Sequence, residues 1–186
     1  MARQARRQAV QFQDVASALL ETLPGQEAGM YGPLRDLFVH FLGYPLRQVV
    51  IDIAGDAGRP DVTVRAPSGL TTAVGRPGEI DWIVVEAKDQ RYGLSTAEKR
   101  EALFAEKSKY ITPNTAWFVM VDPLTMVARP VLGGTYDPAN DIVFHFAAED
   151  EAAFTHKFAG LRAEIAGVSE RLRRFREGDL SLIATE

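Results

Sequence analysis

Two acidic residues and a lysine stand out because of where the chain puts them. Pro60-Asp61 opens a short β-branched segment, and Glu86-Ala87-Lys88 closes an apolar run further along. Residues two apart in a strand share a face, so Glu86 and Lys88 point the same way. The segment before Glu86 is apolar on both faces, with Trp82 and Val84 on one and Ile83 and Val85 on the other. Such a run belongs in a covered sheet, so the charges emerge at the end of a buried strand rather than on a solvated face. If the two strands pair, Asp61 converges on Glu86, and paired carboxylates at a strand end form a hard-oxygen site suited to Mg²⁺. Lys88 beside them would orient or help deprotonate a water and offset charge on a phosphate, as phosphodiester hydrolysis requires. The competing reading is a surface salt bridge at a sheet edge, which is worth little energetically.

The elements that must position these residues can be read from periodicity. Residues 8–23 read as an amphipathic helix, with Val15, Leu19 and Leu23 at spacing four and Pro24-Gly25 as the stop. Residues 26–42 read as a second helix with Leu34, Leu37, Phe38, Phe41 and Leu42 on its apolar face, Pro33 early in it and Gly43 as its C-terminal cap. Strands are expected at 49–53, 61–64, 80–87 and 116–121, with weaker ones at 126–129 and 142–146. Residues 65–79, rich in Pro and Gly, read as a long loop. Ser95 followed by Glu98 forms a capping box, and the helix it starts runs to Tyr110.

Phe154, Phe158, Leu161, Ile165, Val168, Leu172 and Phe175 alternate spacings of four and three, one seam on a long helix of period near 3.5. That helix either packs on its own domain or acts as a lever or coiled-coil contact, including a homodimer contact. The expected organisation is a domain over 1–148 and a C-terminal amphipathic helix and tail over 149–186.

Length and composition narrow the classes. The 186 residues are 46% hydrophobic and 25% charged, an ordinary globular balance. No apolar run approaches membrane-spanning length, and no apolar segment follows the basic start at Arg3, Arg6 and Arg7, so neither a membrane protein nor a secretory signal is expected and the expected location is cytoplasmic. The chain has no Cys, which rules out disulfides, a zinc ribbon and a thiol nucleophile, and its three His show no mutual ligand spacing. The net charge of −4 does not announce nucleic-acid binding and does not oppose it, since a cation-recruiting acidic site can sit beside basic patches. No Gly-rich phosphate loop, dinucleotide fingerprint or nucleophile elbow is present.

The ordered set of motifs resembles the PD-(D/E)xK, or restriction-endonuclease-like, nuclease superfamily. It is similar in particular to the N-terminal nuclease domains of single-chain restriction–modification enzymes. The matches are Glu27 with Tyr31, Pro33-Leu34 and Leu37; Gly58-Arg59-Pro60-Asp61; Glu86-Ala87-Lys88-Asp89; Gly93-Leu94; Tyr110; and the strand from Trp117 to Val121. Together they cover roughly residues 26 to 131. Two features depart from the family pattern: the long 65–79 segment, and Lys107 and Lys109 where many relatives place a glutamine before the tyrosine.

The resemblance implies an α/β fold with a central mixed β-sheet flanked by helices, and a Mg²⁺-dependent DNA endonuclease, with Mn²⁺ able to substitute. It implies that Asp61, Glu86, the main-chain carbonyl of Ala87 and Glu27 hold the metal while Lys88 supports the attacking water. Arg59, Arg91, Lys99, Arg100, Lys107, Lys109 and Tyr110 are the expected DNA contacts. DNA is the expected partner, along with methyltransferase, helicase or specificity domains or subunits of a restriction–modification or phage-defence system. The alternatives are a catalytically silent nuclease-like module that binds DNA or docks a protein, and a repair or resolvase-type nuclease.

Overall fold

The computed structural model describes residues 9–52, 59–71, 77–131 and 136–166. Among the described residues, six strands form one sheet in sequence order: β1 (Val49–Ile51), β2 (Val62–Thr71), β3 (Pro77–Ala87), β4 (Trp117–Val121), β5 (Thr125–Pro130) and β6 (Ile142–His145). β3 and β4 run parallel and the other neighbours antiparallel, so the sheet is mixed. The parallel pair requires a crossover, which α3 (Ala97–Lys107) supplies. The fold is therefore α/β, a central mixed sheet flanked by helices.

Both faces of the sheet are covered, which is why β3 and β4 read as continuous apolar runs. On one face Val84, Phe118, Met120 and Val127 pack with Leu103 and Phe104 of α3. On the other, Val62, Val64, Ile83, Val85 and Val119 pack with α1 (Phe12–Leu20), α2 (Tyr31–Asp36) and the chain around α4 (Glu151–Lys157). Trp82 joins Ile83 on this second face, not Val84 on the first. A shift in the β2–β3 register between Val64 and Arg65 explains it, because an extra residue flips the alternation.

Several expected elements differ. In the segment expected as a loop, the described residues 65–71 and 77–79 are strand: β2 continues to Thr71 and β3 begins at Pro77, with register shifts absorbing the irregular composition, and residues 72–76 lie outside the described residues. The helix expected over 26–42 is divided into a 3₁₀ turn (Glu27–Met30), α2 and a π-helical turn (Leu37–Phe41). Gly29, Gly32 and Pro33 disfavour one unbroken helix here, and Pro33 falls in the first turn of α2 where its missing N–H costs nothing. Gly43 does end the segment, at φ +81°. The Ser95–Glu98 capping box does not form: α3 starts at Ala97 after Thr96, with no side-chain cap.

The long C-terminal helix is the largest departure. α4 ends at Lys157, a 3₁₀ turn follows at Ala159–Leu161, and the chain then bonds back through Ala163 N–H to the Leu42 carbonyl. Phe154, Phe158 and Leu161 are fully buried in the sheet's own core, with Phe154 and Phe158 edge-on to each other at 4.9 Å and close to the Phe144 ring. Val168, Leu172 and Phe175 lie outside the described residues. No helix among the described residues is long and apolar enough to cross a membrane.

Candidate metal centre

The antiparallel register pairs Val62 with Val85, so the start of β2 lies beside the end of β3. Asp61, just before β2, therefore meets Glu86 and Ala87 at the close of β3. Its Oδ2 accepts the Ala87 N–H at 2.7 Å and its Oδ1 accepts the Tyr31 hydroxyl at 3.2 Å. Tyr31 stands in the first turn of α2, so one helix and two strands fix the orientation of this carboxylate. Burial, followed by the Asp61 charge and hydrogen bond, pushes the Tyr31 hydroxyl well above its usual range, which keeps it a donor.

Glu86 is 2% exposed. Its Oε2 lies 3.9 Å from Lys88 Nζ and 3.7 Å from Lys107 Nζ, beyond hydrogen-bond reach of either ammonium. Its Oε1 is buried without a hydrogen-bond partner. Burial, and then the nearby Asp61 charge, pushes the carboxyl up to about 7, although Lys107 and Lys88 pull it back. Lys88 is held at both ends: its N–H donates to the Val121 carbonyl of β4 at 2.8 Å, and its Nζ donates to the Ala87 carbonyl at 3.0 Å.

Glu27 meets the site from the helical layer, its Oε1 accepting the Asp89 N–H at 3.2 Å. Asp89 in turn accepts from Gly25 N–H and pairs with the exposed Arg91, tying the α1–α2 connection to the loop after β3. Among the described residues no group of three or more His, Asp or Glu side chains is arranged to hold a metal ion. The oxygens gathered at the strand ends are those of Asp61, Glu86 and the Ala87 carbonyl, with Glu27 one contact removed through Asp89.

The basic residues separate into two sets. Lys107 turns inward to Glu86 and Glu106, and Arg100 donates to the Leu94 and Ser95 carbonyls and faces Asp141 at 3.4 Å. Lys99 lies over the Tyr92 ring at 5.6 Å. Arg59 and Lys109 are exposed, and both line a concavity with Tyr110.

Three placements in and around the candidate site lie beyond what the sequence indicates. The hydroxyl of Tyr31 grips Asp61; its signal was the position four residues after Glu27. Lys107 faces Glu86, and nothing in a helical lysine announces an inward turn. Asp122 anchors the loop that follows the site, accepting from Leu94, Leu124 and Thr125 N–H groups, and its signal was the Asp-Pro that ends a buried strand.

No family model matches this chain, and no curated protein matches it either. A solved structure similar to it is the "cryoEM structure DrdV-DNA complex", at 13% sequence identity and a TM-score of 0.44. The likeness covers 81% of this chain and 13% of that one, so this chain spans a small part of the neighbour's length.

A Mg²⁺-class cation takes hard oxygen ligands. Two carboxylates and a carbonyl are the hard oxygens such an ion takes, and the buried Glu86 Oε1 has no partner, a cost that a cation or a proton relieves. The donor types suit such an ion, while both Asp61 oxygens and the Ala87 carbonyl already accept hydrogen bonds within the chain.

Proposed function

We propose that this chain hydrolyses phosphodiester bonds of DNA with a divalent cation of the Mg²⁺ class, Mn²⁺ substituting. The setting we propose is cytoplasmic, as the nuclease part of a restriction–modification or phage-defence system with methyltransferase, helicase or specificity partners. The observation that carries the reading is the unpartnered, buried Oε1 of Glu86 beside Asp61, with Lys88 adjacent. The motif resemblance across residues 26–131 supports it independently.

In this reading Asp61, Glu86 and the Ala87 carbonyl hold the cation, and Glu27 acts from the rim. When bound, the cation neutralises phosphate charge and makes a water nucleophilic near neutral pH. Lys88, held by β4 and the Ala87 carbonyl, releases that carbonyl and turns its ammonium to the water or to a phosphate oxygen. Tyr31 fixes the orientation of Asp61, whose remaining lone pairs would be those offered to a cation. Lys107, 3.7 Å away, partly offsets the upward push that burial and Asp61 exert on Glu86.

A second reading is a silent nuclease-like module that binds DNA or a protein. It is favoured by two observations: both Asp61 oxygens already have donors, and the described residues offer no third acid at the centre. The two readings part on plasmid DNA. With Mg²⁺ or Mn²⁺ the wild-type chain should nick or cut it, and Asp61→Asn or Lys88→Ala should lower the rate by at least about a hundredfold with an unchanged circular dichroism spectrum. Equal activity in wild type and both variants contradicts the hydrolytic reading, and no cleavage by wild type leaves the silent module.

A further inference from the structure

Near the carboxylates, a concave space of about 470 Å³ opens on the α3 side of the sheet, where β1, β2 and β3 extend past the end of the α3 segment. Its floor follows from the register: Val50 pairs with Thr63 and Thr63 with Val84, so these three share a face. Glu86 lies two residues beyond Val84 on that face, about 7 Å along the strand. Pro60, the residue before Asp61, also lines the space, and Tyr110 closes it from the end of the α3 segment. The space thus neighbours the proposed metal centre through Pro60 and Val84, and Asp61 and Glu86 are not part of its lining.

We propose that this space receives one unpaired nucleotide of the substrate strand, next to the phosphate attacked at Asp61 and Glu86. The proposal rests on the nuclease reading and adds the substrate's local form. The volume falls in the range of small-ligand sites of roughly 300–1,000 Å³, which holds a nucleotide and not a duplex. Its apolar surfaces, Pro60, Val84 and the Tyr110 ring, suit a base and sugar, and aromatic rings are sequence-tolerant platforms for unpaired bases.

Arg59, Arg65 and Lys109 bring cations to the same space, in a chain whose net charge is −4. Asp52 and Asp81 line it too. Asp81 holds Arg65 at 3.5 Å with both side chains more than 40% exposed (44% and 46%), so exchanging that partner for a phosphate costs little. Lys109 Nζ lies 5.1 Å from the Tyr110 ring centroid, on a flexible stem that can leave the ring for a phosphate once a base arrives.

The test is binding in EDTA by the full chain, using a thymidine decamer with 2-aminopurine at one central position, single-stranded and as a duplex. Tyr110→Ala and Arg65→Ala should each weaken single-strand binding at least about fivefold, the low end for one stacked base, and abolish the 2-aminopurine fluorescence change. Tyr110→Phe should restore both, and circular dichroism checks that each variant is folded. Unchanged single-strand affinity in both variants, or equal losses on duplex and single strand without a fluorescence change, overturns the proposal. Binding is read without cleavage, so the two readings fail separately. A wild type that shows the nucleotide effect and cuts nothing loses the hydrolysis and keeps the site; one that cuts with no effect of either variant loses the site alone.

Discussion

At the scale of single residues, Glu86 carries the cost of the site. Its carboxyl is held near pH 7 against an ordinary value of 4.5, first by burial and then by Asp61. Between those two pH values the folded chain keeps a proton on Glu86 that the unfolded chain has released. Stability therefore falls as pH rises through that window and stays low above it. In metal-free buffer Glu86→Gln should raise stability by about 1–3 kcal/mol at pH 8 and by far less at pH 4.5. Urea melts of both chains at the two pH values measure it, and a variant less stable than wild type at pH 8 would mean that the carboxylate is satisfied in the fold. Lys107 enters the same balance: burial pulls its ammonium down, but Glu86 and Glu106 outweigh this and hold it above its usual value. The charge that lies against Glu86 is thus kept at any pH where the site would work.

At the scale of elements, the strand ends do the positioning and the C-terminal segment supplies the packing behind them. Apolar runs such as Trp82 to Val85 and Phe118 to Val121 made β3 and β4 readable, because a strand covered on both faces leaves no other composition. The extension of β2 to Thr71 and of β3 back to Pro77 was not readable, since Pro67, Ser68 and Gly69 signal a loop wherever a bulge does not absorb them. The seam of Phe154, Phe158 and Leu161 misled for a related reason. Spacing shows that one face is buried, not how far the helix runs or what it meets, and here Phe154 packs on the Phe12 and Phe144 rings and Phe158 on Phe144, with Leu161 in the same core cluster. Phe158→Ala should accordingly cost about 3–5 kcal/mol in chemical denaturation, with no change in sedimentation of the folded fraction. A variant of near-wild-type stability that dissociates a dimer would restore the coiled-coil reading for this part of the seam.

At the scale of the whole molecule, a mixed sheet brings three separated stretches of sequence to one place: Glu27–Tyr31, Pro60-Asp61 and Glu86-Ala87-Lys88. The convergence of Asp61 on Glu86 was legible because strand alternation and an antiparallel pairing suffice to place it. The inward turn of Lys107, the burial of Arg100's guanidinium against backbone carbonyls and the cavity beside Thr63 were not, since each depends on how α3 lies across the sheet. All of the chemistry proposed rests on the two carboxylates sharing one divalent ion. Titration of Mn²⁺ into the chain, followed by electron paramagnetic resonance of the free ion, measures that directly. One ion per chain, with affinity lowered at least about tenfold by Asp61→Asn and by Glu86→Gln alike, is the predicted result; equal binding in all three chains, or none in the wild type, would contradict it.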